Sequence, residues 1–92
     1  AVYVTVNFDE HVRSVGFYST TYGTQQVTTS GSTVRIAKNT EYTISSSYDT
    51  GYTIDHWSTT ATGTLGSSTS AATTYTVSDT ATLSLTSKVF TP

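Results

Sequence analysis

Alternating apolar and polar residues predict β-strands along most of this 92-residue chain. In residues 2–8, valines and a phenylalanine take every second position, which is typical of a strand with one buried face. Apolar positions recur in a strand-like way in seven further segments: residues 12–19, 24–29, 32–37, 41–48, 52–58, 73–78 and 80–90. No run of ten residues shows helical spacing, although one short helical turn around 9–13 or 67–72 is compatible with the pattern.

The alternation also predicts which side chains point inward. The expected inward positions are Val2, Val4, Val6, Phe8, Val15, Phe17, Val27, Val34, Ile36, Tyr42, Ile44, Tyr48, Tyr52, Ile54, Tyr75, Val77, Leu83 and Leu85. Gly16 indicates a bulge or a close backbone approach. Trp57 is out of phase with Ile54, which predicts a bulge or a Trp that caps the sheet edge.

Short polar segments separate the predicted strands. The turns are expected at 9–11, 22–23, 30–31, 38–39, 49–51 and 79. Ser30-Gly31 is interpreted as a hairpin turn, because glycine accepts the positive φ that tight hairpins need. Residues 59–72 contain Thr, Ser, Ala and Gly around a single Leu65, and we expect them to form a long loop.

These elements predict one mainly β domain over residues 1–90, with 91–92 as the start of a linker. We expect seven or eight short, mostly antiparallel strands, arranged as a compact β-sandwich or as a β-grasp-like sheet. Both architectures fit the strand count.

Composition supports a folded domain with a neutral polar surface. Thr occurs 23 times and Ser 14 times, while seven Tyr and one Trp add apolar bulk at a net charge of only −2. Low charge with aromatic residues argues against disorder. With no Cys, the chain cannot build a disulfide or a thiolate metal site. The four basic residues do not cluster, so neither nucleic acid nor an anionic membrane is an expected partner.

Residues 51–57, Gly-Tyr-Thr-Ile-Asp-His-Trp, resemble the GYxFxxW motif of the divergent internalin-B-type repeat domains, with Ile54 in place of the commoner Phe. The segments 32–34 and 41–44 are similar to the strand pair that precedes this motif in the family. The tail 73–83 resembles the family's closing strands.

The resemblance implies a small extracellular module of a bacterial surface or secreted protein, acting as a stalk, spacer or adhesion repeat. Its expected partners are neighbouring domains of the same chain and a host or cell-surface protein or glycan, and the isolated domain is expected to be a monomer. The family pattern contains no catalytic residue, so we expect no enzyme activity, no cofactor and no metal site. The alternative is a carbohydrate-binding module that uses Tyr and Trp faces.

Three groups of residues are nevertheless candidates for chemistry. Asp55 and Trp57 would share one strand face with His56 opposite, and an Asp–Trp pair could hold a sugar, although Trp57 is better explained as the main core or edge aromatic. The turn Asp9-Glu10-His11 offers metal-ligand types, but adjacent residues on a turn seldom converge.

The third group is the tyrosines, whose rings could form a platform for sugars. Tyr18 and Tyr22 flank a turn and are expected to be exposed. The seven are Tyr3, Tyr18, Tyr22, Tyr42, Tyr48, Tyr52 and Tyr75.

Other covalent chemistry has weak support. Six acidic residues, mostly at predicted turns, do not suggest a glycosidase pair. A Ser nucleophile would need an oriented base, and the chain has no GxSxG motif. An internal amide or ester crosslink could in principle involve Lys38, Lys88, Asn39, Gln25 or Gln26.

Overall fold

In the computed structural model, which describes residues 2–90, nine strands form two sheets and no helix is present in that range. The strands are β1 (Val2–Phe8), β2 (Val12–Ser19), β3 (Gly23–Val27), β4 (Ser32–Ile36), β5 (Tyr42–Tyr48), β6 (Tyr52–Thr59), β7 (Gly63–Leu65), β8 (Ala72–Val77) and β9 (Ala81–Val89). One sheet has the order β4-β1-β9-β6 and the other β3-β2-β5-β8-β7. The predicted all-β class is confirmed. The suggested linker at 91–92 lies outside the described residues.

The two sheets face each other across one hydrophobic core, so the molecule is a two-layer sandwich. In β1 the valines are buried and Tyr3 and Asn7 are exposed, as the alternation predicts. The core draws on both sheets, with Val4 and Leu83 from one and Phe17 and Ile44 from the other. Each sheet buries one face only, which is why the period of two is so regular.

The turn Ser30-Gly31 exists, but the prediction that it closes a hairpin is wrong. It connects β3 of the five-stranded sheet to β4 of the four-stranded sheet, and the two strands do not pair. Gly31 has a φ of 90°, and its N–H donates to the carbonyl of Val6 at 2.7 Å. Glycine therefore serves the tight turn, while the flanking strands find partners elsewhere.

The segments 32–34 and 41–44, which resemble a strand pair, also separate. They belong to β4 and β5, which lie in different sheets. β4 pairs with β1, and β5 pairs with β2 and β8.

The long loop expected at 59–72 is shorter in the structure. β6 continues to Thr59, and β7 pairs with β8 inside the segment, which explains why nine strands are found rather than seven or eight. Gly63 permits this pairing, because an added Cβ would lie 2.5 Å from the Tyr75 hydroxyl oxygen. Residues 66–71 lie outside any strand.

The first and last strands lie side by side and run parallel, with Val4 opposite Ala81 and Phe8 opposite Leu85. Every other strand pair is antiparallel within residues 2–90. Parallel pairing places Val2 near the start of β9 and leaves Val89 beyond the end of β1. Val2 and Val89 are therefore separated by about ten residues along the strand direction, or roughly 33 Å. The longest dimension of the molecule is 39 Å, so the described chain starts and finishes at opposite ends.

Candidate functional site

The Asp9-Glu10-His11 turn is held by contacts with distant residues rather than simply solvated. Asp9 Oδ2 accepts a hydrogen bond from the Ser87 backbone N–H, and Oδ1 accepts from the Ser87 hydroxyl, both at 2.7 Å. The His11 backbone N–H also donates to Asp9 Oδ1 at 3.0 Å. Burial raises the pKa of Asp9, but the bonds from Ser87 and His11 outweigh it, and the net pKa lies below its usual value of 3.8.

His11 lies in a charged and aromatic environment at the same end of the sandwich. Its ring stacks on Tyr52 with centroids 3.7 Å apart and planes 7° apart. Its Nε2 is 3.5 Å from a Glu10 carboxylate oxygen, and its Nδ1 is 3.8 Å from an Asp49 oxygen. Among residues 2–90, no three His, Asp or Glu side chains are placed to hold a metal ion. The cluster instead ties the β1–β2 turn to the β5–β6 turn.

The expected pairing of Asp55 with Trp57 on one strand face is wrong. The register of β6 against β9 shifts between Ile54 and His56, which is the predicted bulge. The extra residue turns both Ile54 and Trp57 into the core, so Trp57 is only 2% exposed. Asp55 and His56 are exposed and contact each other, with 2.8 Å between Asp55 Oδ2 and His56 Nδ1.

Trp57 organises the segment 66–71 from inside the molecule. Its backbone N–H donates to the carbonyl of Ser68 at 2.6 Å, and its indole Nε1–H donates to the carbonyl of Ser70 at 2.7 Å. The interpretation of Trp57 as a core aromatic is therefore confirmed. Its ring face is not available to a sugar.

Two of the seven tyrosines are buried, three are exposed, and two, Tyr48 and Tyr52, are half-buried. Tyr42 and Tyr75 are in the core, and burial raises the pKa of Tyr75 while its 2.6 Å hydrogen bond with Thr59 opposes that rise. Tyr18 and Tyr22 are 50% and 59% exposed, as predicted, and Tyr3 is exposed as well. The three exposed rings belong to separate positions on β1, β2 and the β2–β3 turn, so any stacking surface must be sought around a single ring.

Tyr22 supplies that ring, at the mouth of a surface groove of about 570 Å³. The ring stacks on buried Tyr42, with centroids 6.4 Å apart and planes 18° apart. The groove lies between β3 and β4, which are the edge strands of the two sheets on one side of the sandwich. We call it the tyrosine groove, and it is lined by Tyr22, Gln25, Arg35, Ile36, Ala37, Lys38 and Tyr42.

Side chains and backbone groups fix the walls of the tyrosine groove. Gln25 Nε2 on β3 donates to the backbone carbonyl of Arg35 on β4 at 2.7 Å. The Ala37 N–H donates to the Tyr42 hydroxyl at 3.0 Å. The two sheet edges are therefore connected directly across the groove.

None of the crosslink candidates is buried in the core. Lys38, Lys88, Asn39 and Gln26 are exposed, and Gln25 is bound to the Arg35 carbonyl. Buried lysine beside an acid, which such a reaction requires, is not found among residues 2–90. No hydrogen bond joins a His ring to a Ser or Thr hydroxyl in that range, and the His56 ring is hydrogen-bonded to Asp55.

Sequence reasoning missed the tyrosine groove and the Asp9–Ser87 contact. Tyr22 was expected to be exposed, but its neighbours in the groove come from β3, β4 and β5, and nothing in the local pattern places these together. Asp9 and Ser87 are 78 positions apart, and only the adjacency of β1 and β9 brings them into contact.

Comparisons of the chain with protein-family models, with curated proteins and with solved structures give no match. Within residues 2–90 there is also no helix long and apolar enough to cross a membrane.

Proposed function

We propose that this chain is a non-enzymatic spacer module of a bacterial surface protein, working outside the cell as a stalk or adhesion repeat. The resemblance of residues 51–57 and 73–83 to internalin-B-type repeats supports the compartment and the modular role. The observation that carries the proposal is the parallel pairing of β1 and β9, which places the ends of the described chain at opposite ends of the long axis.

Such an arrangement suits a chain of modules. Copies joined end to end would add length along one direction, and each copy would contact only its neighbours, as in solenoid arrays. A force applied through the chain would pull β1 and β9 in opposite directions along their length. Several hydrogen bonds would then carry the load together, because the parallel register runs from Val4 to Phe8.

The end of β9 supports contact with a neighbouring module. Val89 and Phe90 are 66% and 56% exposed, beside a shallow cavity of about 470 Å³ that Thr53, Ile54 and Lys88 also line. Exposed apolar side chains of this size commonly mark contact surfaces. A neighbouring domain of the same chain is the partner that we propose for this surface.

Small-angle X-ray scattering of one, two and three tandem copies tests the proposal. The maximum dimension should increase by close to the 39 Å long axis for each added copy. A tandem that folds back on itself, with a maximum dimension that barely changes from two copies to three, would overturn it.

Carbohydrate binding is the second candidate, and the tyrosine groove is the observation that favours it. Trp57 is buried and cannot contact a sugar, so carbohydrate binding would depend on the ring of Tyr22. A spacer and a glycan-binding module are compatible, since the groove lies along the β3–β4 side and neither Val2 nor Phe90, at the ends of the described range, lines it.

A further inference from the structure

We propose that the tyrosine groove binds an acidic saccharide, meaning a sugar chain that carries carboxylates. This inference rests on the carbohydrate-binding candidate above and does not depend on spacing or on tandem copies. The groove combines an exposed aromatic ring with a local excess of positive charge and of hydrogen-bond donors.

The groove supplies hydrogen-bond donors as well as positive charge. Tyr42 is only 2% exposed, and its hydroxyl, which accepts from the Ala37 N–H, belongs to the wall of the groove. The Gln25 amide uses one N–H on the Arg35 carbonyl and keeps the other. Together with the guanidinium of Arg35 and the ammonium of Lys38, these groups favour a ligand rich in acceptor oxygens.

The charge of the groove is opposite to that of the whole chain. Arg35 and Lys38 supply two of the four basic residues in a chain of net charge −2, and no Asp or Glu lines the groove. The ion pairs formed within residues 2–90 all involve other residues. The two cations are therefore free to pair with an anion from outside.

Tyr22 adds a flat apolar surface that is held in place. The buried Ser19 hydroxyl accepts hydrogen bonds from the N–H groups of Thr21 and Tyr22 at 3.2 and 3.3 Å, which fixes the turn. Tyr42 supports the ring from below. A preordered amphipathic ring suits the C–H face of a sugar, and little entropy is lost when the ligand binds.

Other anionic ligands fit less well. Nucleic acid and anionic membranes are bound by larger sets of cations, whereas this surface offers two. A groove of about 570 Å³ is within the size range of small-molecule sites. A short anionic sugar chain matches the charge, the ring and the volume together.

The test is an NMR titration of the ¹⁵N-labelled domain with trigalacturonate, with its fully methyl-esterified form and with sodium sulfate. The ester keeps the rings and removes the charge, while sulfate keeps charge without rings. We expect trigalacturonate to shift the amide signals of Gln25, Lys38 and Tyr42, and to do so at concentrations at least about fivefold lower than either control. Added salt should weaken the binding, because exposed charges are screened.

Variants locate the binding. Lys38→Ala and Tyr22→Ala should each weaken it by about three- to tenfold, in line with the loss of a charged hydrogen bond or of a ring contact. Lys88→Ala and Tyr18→Ala remove an equally exposed lysine and tyrosine elsewhere and should change it less than twofold. Urea unfolding curves of all four variants establish that each is folded.

Three outcomes overturn the proposal. They are no shifts with trigalacturonate at 20-fold excess, equal shifts with sulfate, and shifts that map away from the groove. A fourth outcome, equal binding of the methyl ester, would overturn the preference for an acidic saccharide and leave a neutral-sugar site. None of these results bears on the length of tandem copies, so failure here and failure of the spacer role are distinguishable.

Discussion

An aromatic residue lies at each of the two sides of the sandwich where sheet edges meet, and it is buried on one side and exposed on the other. On the β6–β7 side, Trp57 is turned inward, and its two N–H groups hold residues 66–71 over the edge. On the β3–β4 side, Tyr22 remains exposed, and a groove stays open between the edges. The first side is closed by a segment of the same chain, and the second leaves its ring exposed.

The difference shows that aromatic content alone does not indicate a ligand site. Trp57 is the larger ring and belongs to the only distinctive motif, yet a one-residue bulge turns it into the core. Tyr22 belongs to an ordinary polar turn and is accessible because no segment among residues 2–90 covers it. Four predictions test this contrast.

Trp57→Ala should have the largest effect, a loss of about 3–5 kcal/mol in the free energy of unfolding. The variant loses core volume and the indole bond to Ser70. In a domain this small, such a loss can exceed the total stability. Urea unfolding followed by far-UV circular dichroism measures it, and a loss below about 1 kcal/mol would show that the β6–β7 side is not closed by this ring.

Gly63→Ala should destabilise the same side by about 1–3 kcal/mol through overpacking. The new methyl would lie 2.5 Å from the Tyr75 hydroxyl oxygen and 2.8 Å from a Tyr75 ring carbon. Tyr75→Phe, which removes the hydroxyl, should be less than additive with it in a double-mutant cycle. Full additivity would mean that β7 can shift away from β8 at little cost.

Asp9→Asn should lower the free energy of unfolding by about 1–2 kcal/mol near neutral pH, because the carboxylate that it replaces accepts three hydrogen bonds. The folded-state pKa of Asp9 is below its usual 3.8, so its contribution is present above that value and is lost as the pH falls through the folded pKa.

Urea unfolding between pH 2 and pH 7 checks this sign. The wild-type protein should lose stability on acidification more steeply than Asp9→Asn. Asp55→Asn, at an exposed carboxylate that contacts only its neighbour His56, is the matched control. Parallel pH profiles for the wild-type protein and Asp9→Asn would contradict the role of the Ser87 contact.

Tyr22→Ala should have the smallest effect on stability, below about 1 kcal/mol, because the ring is 59% exposed and already in contact with water. Unfolding curves of this variant and Trp57→Ala on the same preparation compare the two sides directly. A loss at Tyr22 as large as that at Trp57 would show that the tyrosine groove is part of the core.

Much of the fold follows from the sequence at the level of single strands. The buried valines of β1, the inward Phe17 and Ile44, and the bulge before Trp57 were all indicated by local alternation. The candidate site was not. The sequence predicts that Tyr22 lies on an exposed turn, but the groove beside it requires β3 and β4 to meet as the edges of two sheets. A turn such as Ser30-Gly31 is compatible either with a hairpin or with a connection between the two sheets.

The sequence by itself determined the strand class and most of the inward positions and turns, because these depend on a period of two and on backbone preferences within a few residues. Tyr52, expected inward, is half-buried outside the core and stacks on His11. Tertiary structure decided that β1 pairs in parallel with β9 and that β3 and β4 separate. It also decided that Asp9 contacts Ser87 and that residues 66–71 are held over Trp57 by hydrogen bonds. Any strand with one apolar face can satisfy the same alternation. The choice of partner therefore depends on which pairing lets all the apolar faces share one core.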